Sequence, residues 1–268
     1  MGAQDATNMT SVFQNADKAA DLKAVMDVAK ATLGADDGTG TNKLDASNAA
    51  NLTSVFQNAD KASDLKEVMT AAADVGITDA ANLTSVFQNA DQASDLKDVM
   101  EDAKSLATTG DTSLFTSVMQ NADQAASVKK VVAAAKSGGA SANIDNVLRN
   151  ASSADKLSEL VDKTSSSGTV NVSLLDTVLE NADKAEDLYD VVDAAETSGG
   201  ESFDVTSLLE NADKADKLKT LVEAAQTSGG ADSDSLLTQV FNNADKACLL
   251  YTSPSPRDAT LSRMPSSA

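Results

Sequence analysis

The sequence predicts an all-α chain, an α-solenoid of about eight helix-turn-helix repeats of ~30 residues each, the last one truncated. Three observations carry that expectation. The pair Asn-Ala recurs at Asn15, Asn58, Asn89, Asn121, Asn150, Asn181, Asn211 and Asn243. Apolar residues keep helical spacing on both sides of each pair, and glycines follow the second stretch of most copies.

Counting from each Asn as zero, positions −6, −3 and −2 are apolar in every copy. Met9, Val12 and Phe13 fill them in the first, Ile144, Val147 and Leu148 in the fifth, Leu237, Val240 and Phe241 in the last. With Ala at +1 this is one face of an amphipathic helix. A second stripe follows: Ala62, Leu65, Val68, Met69 and Ala72 occupy +4, +7, +10, +11 and +14 of the second copy. At about 100° per residue the two stripes are out of phase by roughly 125°. One straight helix cannot carry both faces, so a corner is expected at Asn-Ala-Asp.

The corner chemistry suggests how. Asn tolerates the left-handed conformation that ends a helix. Asp at +2 is a good N-cap for the next one, and Asp183-Lys-Ala-Glu186 reads as a complete capping box. Each repeat should therefore hold a first helix of about two turns, a tight corner, a second helix of about three turns and a Ser/Thr-Gly return. Gly138-Gly139, Gly168, Gly199-Gly200 and Gly229-Gly230 mark the returns. A long coiled coil would need the unbroken phase that the corner denies it. Period-2 alternation, the mark of strands, is absent.

Helices this short are marginal alone. Burying one aliphatic side chain stabilises by roughly 1.5–3 kcal/mol, and only stacked neighbours can cover the apolar residues of a repeat. Phe13, Phe56, Phe87 and Phe241, all at −2, are expected in the core, as are Met26, Met69 and Met100 at +11.

The first spacing, 43 residues against 29 to 32 for the others, implies an extended loop over about 31–47. Its acidic, glycine-rich run offers Asp36, Asp37, Asn42 and Asp45 as calcium-ligand candidates. Counting from Asp36, Gly38 and Gly40 stand where an EF-hand needs ligands, and a solvated insertion is the plainer reading. The Asn and Asp ladder could in principle hold cations. Ser152 replaces Asp in the fifth copy, and Ser caps helices well but binds calcium poorly, which favours capping. Asn8, Asn51, Asn82, Asn150 and Asn171 begin glycosylation sequons, a pattern that chance supplies readily in a chain rich in Asn, Ser and Thr.

Composition narrows the chemistry. His is absent, the one Cys is Cys248, and the net charge is −20. No nucleophile–base pair is available upstream of Cys248, and no catalytic residue, cofactor or metal centre is expected beyond the weak calcium candidates. A charge this negative repels nucleic acid and anionic membranes, and no apolar run reaches the ~18 residues of a membrane span. The carboxylates recur on solvated faces in every copy, where an active site would break the repeat symmetry.

All three prolines fall in the last fifteen residues. The segment Cys248–Ala268, CLLYTSPSPRDATLSRMPSSA, resembles translated sequencing-adapter DNA. TGT CTC TTA TAC ACA TCT yields Cys248 to Ser253, CCG AGC CCA CGA GAC yields Pro254 to Asp258, and ATG CCG TCT TCT GCT yields Met264 to Ala268. The resemblance implies a non-native, disordered tail over 248–268 that follows the helical array of 1–247, with the natural chain running on past Ala247.

The helix-pair unit resembles the α-solenoids that include tetratricopeptide and HEAT arrays, though T-S-V-F-Q-N-A-D-K-A-S-D-L-K at Thr53–Lys66 fits neither pattern. It is more similar to the near-identical repeats of very large bacterial surface or secreted proteins. That resemblance implies a non-enzymatic spacer or stalk segment, on or outside the cell, whose partners are neighbouring repeats of a longer parent chain. The alternative is a protein- or ligand-binding solenoid.

Overall fold

The computed structural model describes residues 6–33, 49–77, 80–106, 112–166, 169–198, 205–228 and 233–246. It is an all-α helical repeat array that divides into two compact units, Met1–Ser158 and Glu159–Ala268. The calcium candidates Asp36, Asp37, Asn42 and Asp45, the loop beyond Leu33 and the segment 248–268 lie outside the described residues.

In the first unit the first helices of successive repeats are α1 (Ala6–Gln14), α3 (Ala49–Gln57), α5 (Ala80–Gln88), α7 (Ser113–Gln120) and α9 (Ile144–Arg149). The second helices are α2 (Ala19–Leu33), α4 (Ala62–Asp74), α6 (Ala93–Leu106) and α8 (Ala125–Gly138). The helix α10 (Ala154–Lys163) runs across the unit boundary. First helices stack on first helices and second on second, α1 on α3 on α5 on α7 on α9 and α2 on α4 on α6 on α8. The second unit holds α11 (Val172–Glu180), α12 (Ala185–Ser198), α13 (Thr206–Glu210), α14 (Ala215–Ser228) and α15 (Ser233–Asn242), with α11 on α13 and α12 on α14.

Most second helices are longer than the sequence suggested, while α10, with 10 residues, keeps to about three turns. Four of them have 14 residues, nearly four turns, and α2 continues to Leu33, past the expected start of its loop at 31. The return between α10 and α11 also departs from the expectation. Ser165–Ser166 and Thr169–Val170 form a minimal antiparallel pair, β1 and β2, closed by the Asn171 N–H donating to the Thr164 carbonyl at 2.9 Å.

The stripes lie where periodicity puts them. Leu65, Val68, Leu96, Val99, Val128, Leu188 and Leu218 are fully buried, as are the small residues Ala90, Ala93, Ala122, Ala182 and Ala212 of the corners. Each corner packs against the first helix of the preceding repeat within its unit, for instance Ala59–Lys61 against α1. Alanine at +1 and +4 lets that approach be close. Among the described residues two helix ends use left-handed glycine: Gly76 at φ 81° and Gly139 at φ 83°. There Ile77 and Ala140 donate back to the Ala72 and Ala135 carbonyls, and both side chains are buried.

The first repeat overturns one expectation. Phe13 is 71% exposed and Met9 40%, whereas Phe87 and Phe241 are buried and Phe56 is half-buried. The −2 position is core only where a preceding repeat covers it.

Candidate functional site

The corner is built by the Asn, though not in the manner foreseen. From Asn15 to Asn211 its φ lies between −106° and −114° and its ψ between 30° and 42°, the bridge region rather than the left-handed one. In all eight copies its side-chain amide donates to the carbonyl four residues back, at 2.8 to 3.0 Å. Its own carbonyl accepts the N–H of +3, closing a 3-10 turn over +1 to +3. That arrangement ends the first helix and starts the second without a left-handed residue.

Asp at +2 lies inside the 3-10 turn, so it is not the residue preceding the second helix. Asp183 sits within Ala182–Lys184 and α12 begins at Ala185, which dissolves the expected capping box. Asp60, Asp91, Asp123, Asp183 and Asp213 are exposed, and so is Ser152 in the fifth copy. The Asp-to-Ser change leaves the turn intact because neither side chain forms it.

Several of the carboxylates expected on solvated faces join repeats instead. Lys at +8 reaches back to the acids at +6 and +9 of the preceding repeat. Lys66 pairs with Asp21 at 2.7 Å, and Lys97 with Asp64 at 3.5 Å and Glu67 at 2.8 Å. Lys129 pairs with Asp95 and Asp98, both at 2.7 Å, and Lys219 with Asp187 at 2.8 Å and Asp190 at 2.9 Å. Hydrogen bonding to Asp21 and Glu67 raises the Lys66 and Lys97 ammonium pKa values, and paired acids do the same for Lys129 and Lys219. The Lys66 and Ser63 hydrogen bonds hold Asp21 below the ordinary carboxylate value.

Two further links recur. Ser11, Ser54, Ser85 and Ser117 at −4 donate their hydroxyls to the carbonyls of Gln57, Gln88, Gln120 and Arg149 at −1 of the next repeat, at 2.9 to 3.1 Å. Those carbonyls end a helix and have no partner within it. The +3 side chain reaches forward: Lys61 to Ser94 at 3.2 Å, Gln124 to the Ser152 carbonyl at 2.7 Å, Lys184 to the Asp213 carbonyl.

Where the lysine pattern lapses, its partners change with it. Ser158 occupies +8 of the fifth repeat, and the fourth carries Ser127 and Lys130 at +6 and +9. Tyr189 occupies +8 of the sixth and hydrogen-bonds Glu159, which raises its pKa. Lysine recurring at +8 against acids at +6 and +9 was the signal in the sequence that could have revealed this ladder.

The remaining candidates resolve structurally. Asn82 is 3% exposed, its Oδ1 without a hydrogen-bond partner, so its sequon is closed to modification in the fold. Asn171 caps α11, accepting the Leu174 N–H at 3.3 Å. The side chains of Asn8 and Asn51 lie outside the described residues. Among the described residues no three His, Cys, Asp or Glu side chains converge as a metal set, and no helix is long and apolar enough to cross a membrane.

The surface grooves repeat as well. One of ≈ 220 Å³ lies between α4 and α6, beside Lys66, Thr70, Lys97 and Glu101, and one of ≈ 350 Å³ between α12 and α14, beside Asp190, Thr197, Lys219 and Glu223. A wider depression of ≈ 670 Å³ along α7 is hydroxyl-lined, and there the Arg149 guanidinium donates to Ser113 at 2.6 Å. Compared with known protein families, curated proteins and solved structures, the chain matches none.

Proposed function

We propose that this chain is a non-enzymatic structural segment, a spacer or stalk section of a longer repetitive protein on or outside a bacterial cell, whose partners are neighbouring repeats. One observation carries the reading: polar side chains at recurring positions, Lys at +8 and Ser at −4, join one copy to the next at four junctions each. A catalytic or ligand site must gather unlike groups at one place, and so break repeat symmetry. Here the grooves between second helices recur with the stacking, and Arg149, the exception in the hydroxyl-lined depression, is committed to Ser113 and an α7–α9 bridge. A spacer also needs stability that grows by nearest-neighbour addition rather than one central core.

The test is mechanical. Pulled from its ends, the chain should lengthen in successive steps, each releasing one repeat, of 43 residues for the first and 29 to 32 for the others. A single all-or-none rupture would count against a spacer. So would saturable capture of a soluble partner that substitutions in one repeat abolish.

A further inference from the structure

The first repeat presents an apolar face that no other described residue covers. At −6 and −2, Met9 and Phe13 are exposed, while their counterparts Leu83 and Phe87, or Phe115 and Met119, are buried. At +1 and +4, Ala16 and Ala19 are exposed, while Ala90 and Ala93 are fully buried. In every later repeat of a unit these positions belong to the side that leans on the preceding repeat, since each corner packs on the preceding first helix. The exposed patch therefore continues an interface that the array already uses.

Its charge is in register too. Lys23 stands at +8, the position from which Lys66, Lys97, Lys129 and Lys219 reach back to acids. Here it pairs with Asp27 of its own helix at 2.5 Å, and both side chains are largely exposed. The geometry points to this face as a docking surface for one further helix-pair repeat, one that carries Asp at +6 and an acid at +9. The second, third and sixth repeats have that pair, as Asp64 and Glu67, Asp95 and Asp98, Asp187 and Asp190. The seventh does not, since Lys217 and Thr220 stand there, and the truncated eighth ends before those positions, at the adapter-like segment. A second copy of this chain docking by its final repeats would bring no acid pair to Lys23. The inference rests on the spacer reading and adds to it the identity of the neighbour on this side.

The experiment uses the full chain carrying Phe13→Trp, since the sequence contains no Trp. Its emission is compared before and after residues 49–79 are duplicated directly ahead of Ala6. Docking predicts a blue-shifted emission and amide exchange in α1 and its corner slowed by at least about tenfold. Changing the appended acids that correspond to Asp64 and Glu67 to Lys should reverse much of that protection. Unshifted emission and unprotected α1 amides in a chimera that melts as a folded helical protein would overturn the inference and leave the stepwise-extension test of the spacer untouched. A blue shift in the unextended chain that grows with concentration, with doubling of mass, would also overturn it, by making a second copy the occupant.

Discussion

Asn121 donates its side-chain amide to the Ser117 carbonyl at 2.8 Å, and the Ser117 hydroxyl donates to the Arg149 carbonyl of the next repeat at 2.9 Å. One serine thus receives the bond that shapes the corner within its repeat and gives the bond that ties that repeat to its neighbour. Local geometry and stacking meet in the motif Ser-x-x-x-Asn.

The corner bond depends on a donor, which sets the direction of the first prediction. Asn121→Ala removes it and should cost about 0.5–2 kcal/mol, the scale of a lost helix cap. Asn121→Asp is nearly isosteric, yet places a negative acceptor beside a carbonyl at a helix C-terminus, and should cost more than the alanine change. Denaturant unfolding of both variants decides it. An Asp variant as stable as the parent would show that the amide is dispensable.

Leu96 is fully buried at +7 of α6, which stacks between α4 and α8. Leu96→Ala should cost about 2–5 kcal/mol. In a nearest-neighbour array the loss concentrates in the repeats that touch the cavity. Residue-resolved hydrogen exchange should therefore quicken most in α4, α6 and α8. A uniform rise from Ala6 to Lys246 would mean that the array unfolds as one block.

Much of this fold could be read from the chain, because what fixed it was local. The phase jump between the stripes of Val55 and Val68 needed only the helical period, and the glycine at 139 announced its own left-handed turn. The corner mechanism was less legible. Asn58 could have ended its helix by going left-handed, and only the structure shows its amide donating to the Ser54 carbonyl at 2.9 Å instead. The exposure of Phe13 was hidden because burial at −2 is a property of the neighbouring repeat, not of the residue. The Lys97–Glu67 pair spans 30 positions and exists only in the stacked register, so single repeats show the carboxylate merely as a solvated group.

Lys129 bridges Asp95 and Asp98 across the α6–α8 junction, with its side chain 43% exposed and theirs 34% and 48%. Water screens such pairs, so a cycle of Lys129→Met and Asp95→Asn should yield a coupling of only about 0.2–1 kcal/mol. At about 1 M salt, where the screening length is about 3 Å, most of it should vanish. A coupling that survives salt would mean that the pair acts through packing of the lysine stem.

The Asp21–Lys66 pair makes stability depend on pH at both extremes. Asp21 is held below its ordinary value of 3.8, chiefly by the Lys66 hydrogen bond and then by Ser63. A carboxylate with a depressed folded pKa contributes fully above the unfolded value and loses that contribution as pH falls through the folded one. Lys66 is raised above 10.5 by Asp21, so its contribution is complete below 10.5 and is lost as pH rises through its folded value. Asp21→Asn removes both dependences together. The parent's advantage over this variant in denaturation midpoint should hold level through neutral pH, shrink on acidification below 3.8 and shrink again above 10.5. An advantage that widens in acid would show that the carboxylate is better tolerated neutral, and the pair would then be a by-product of stacking rather than a link that supports it.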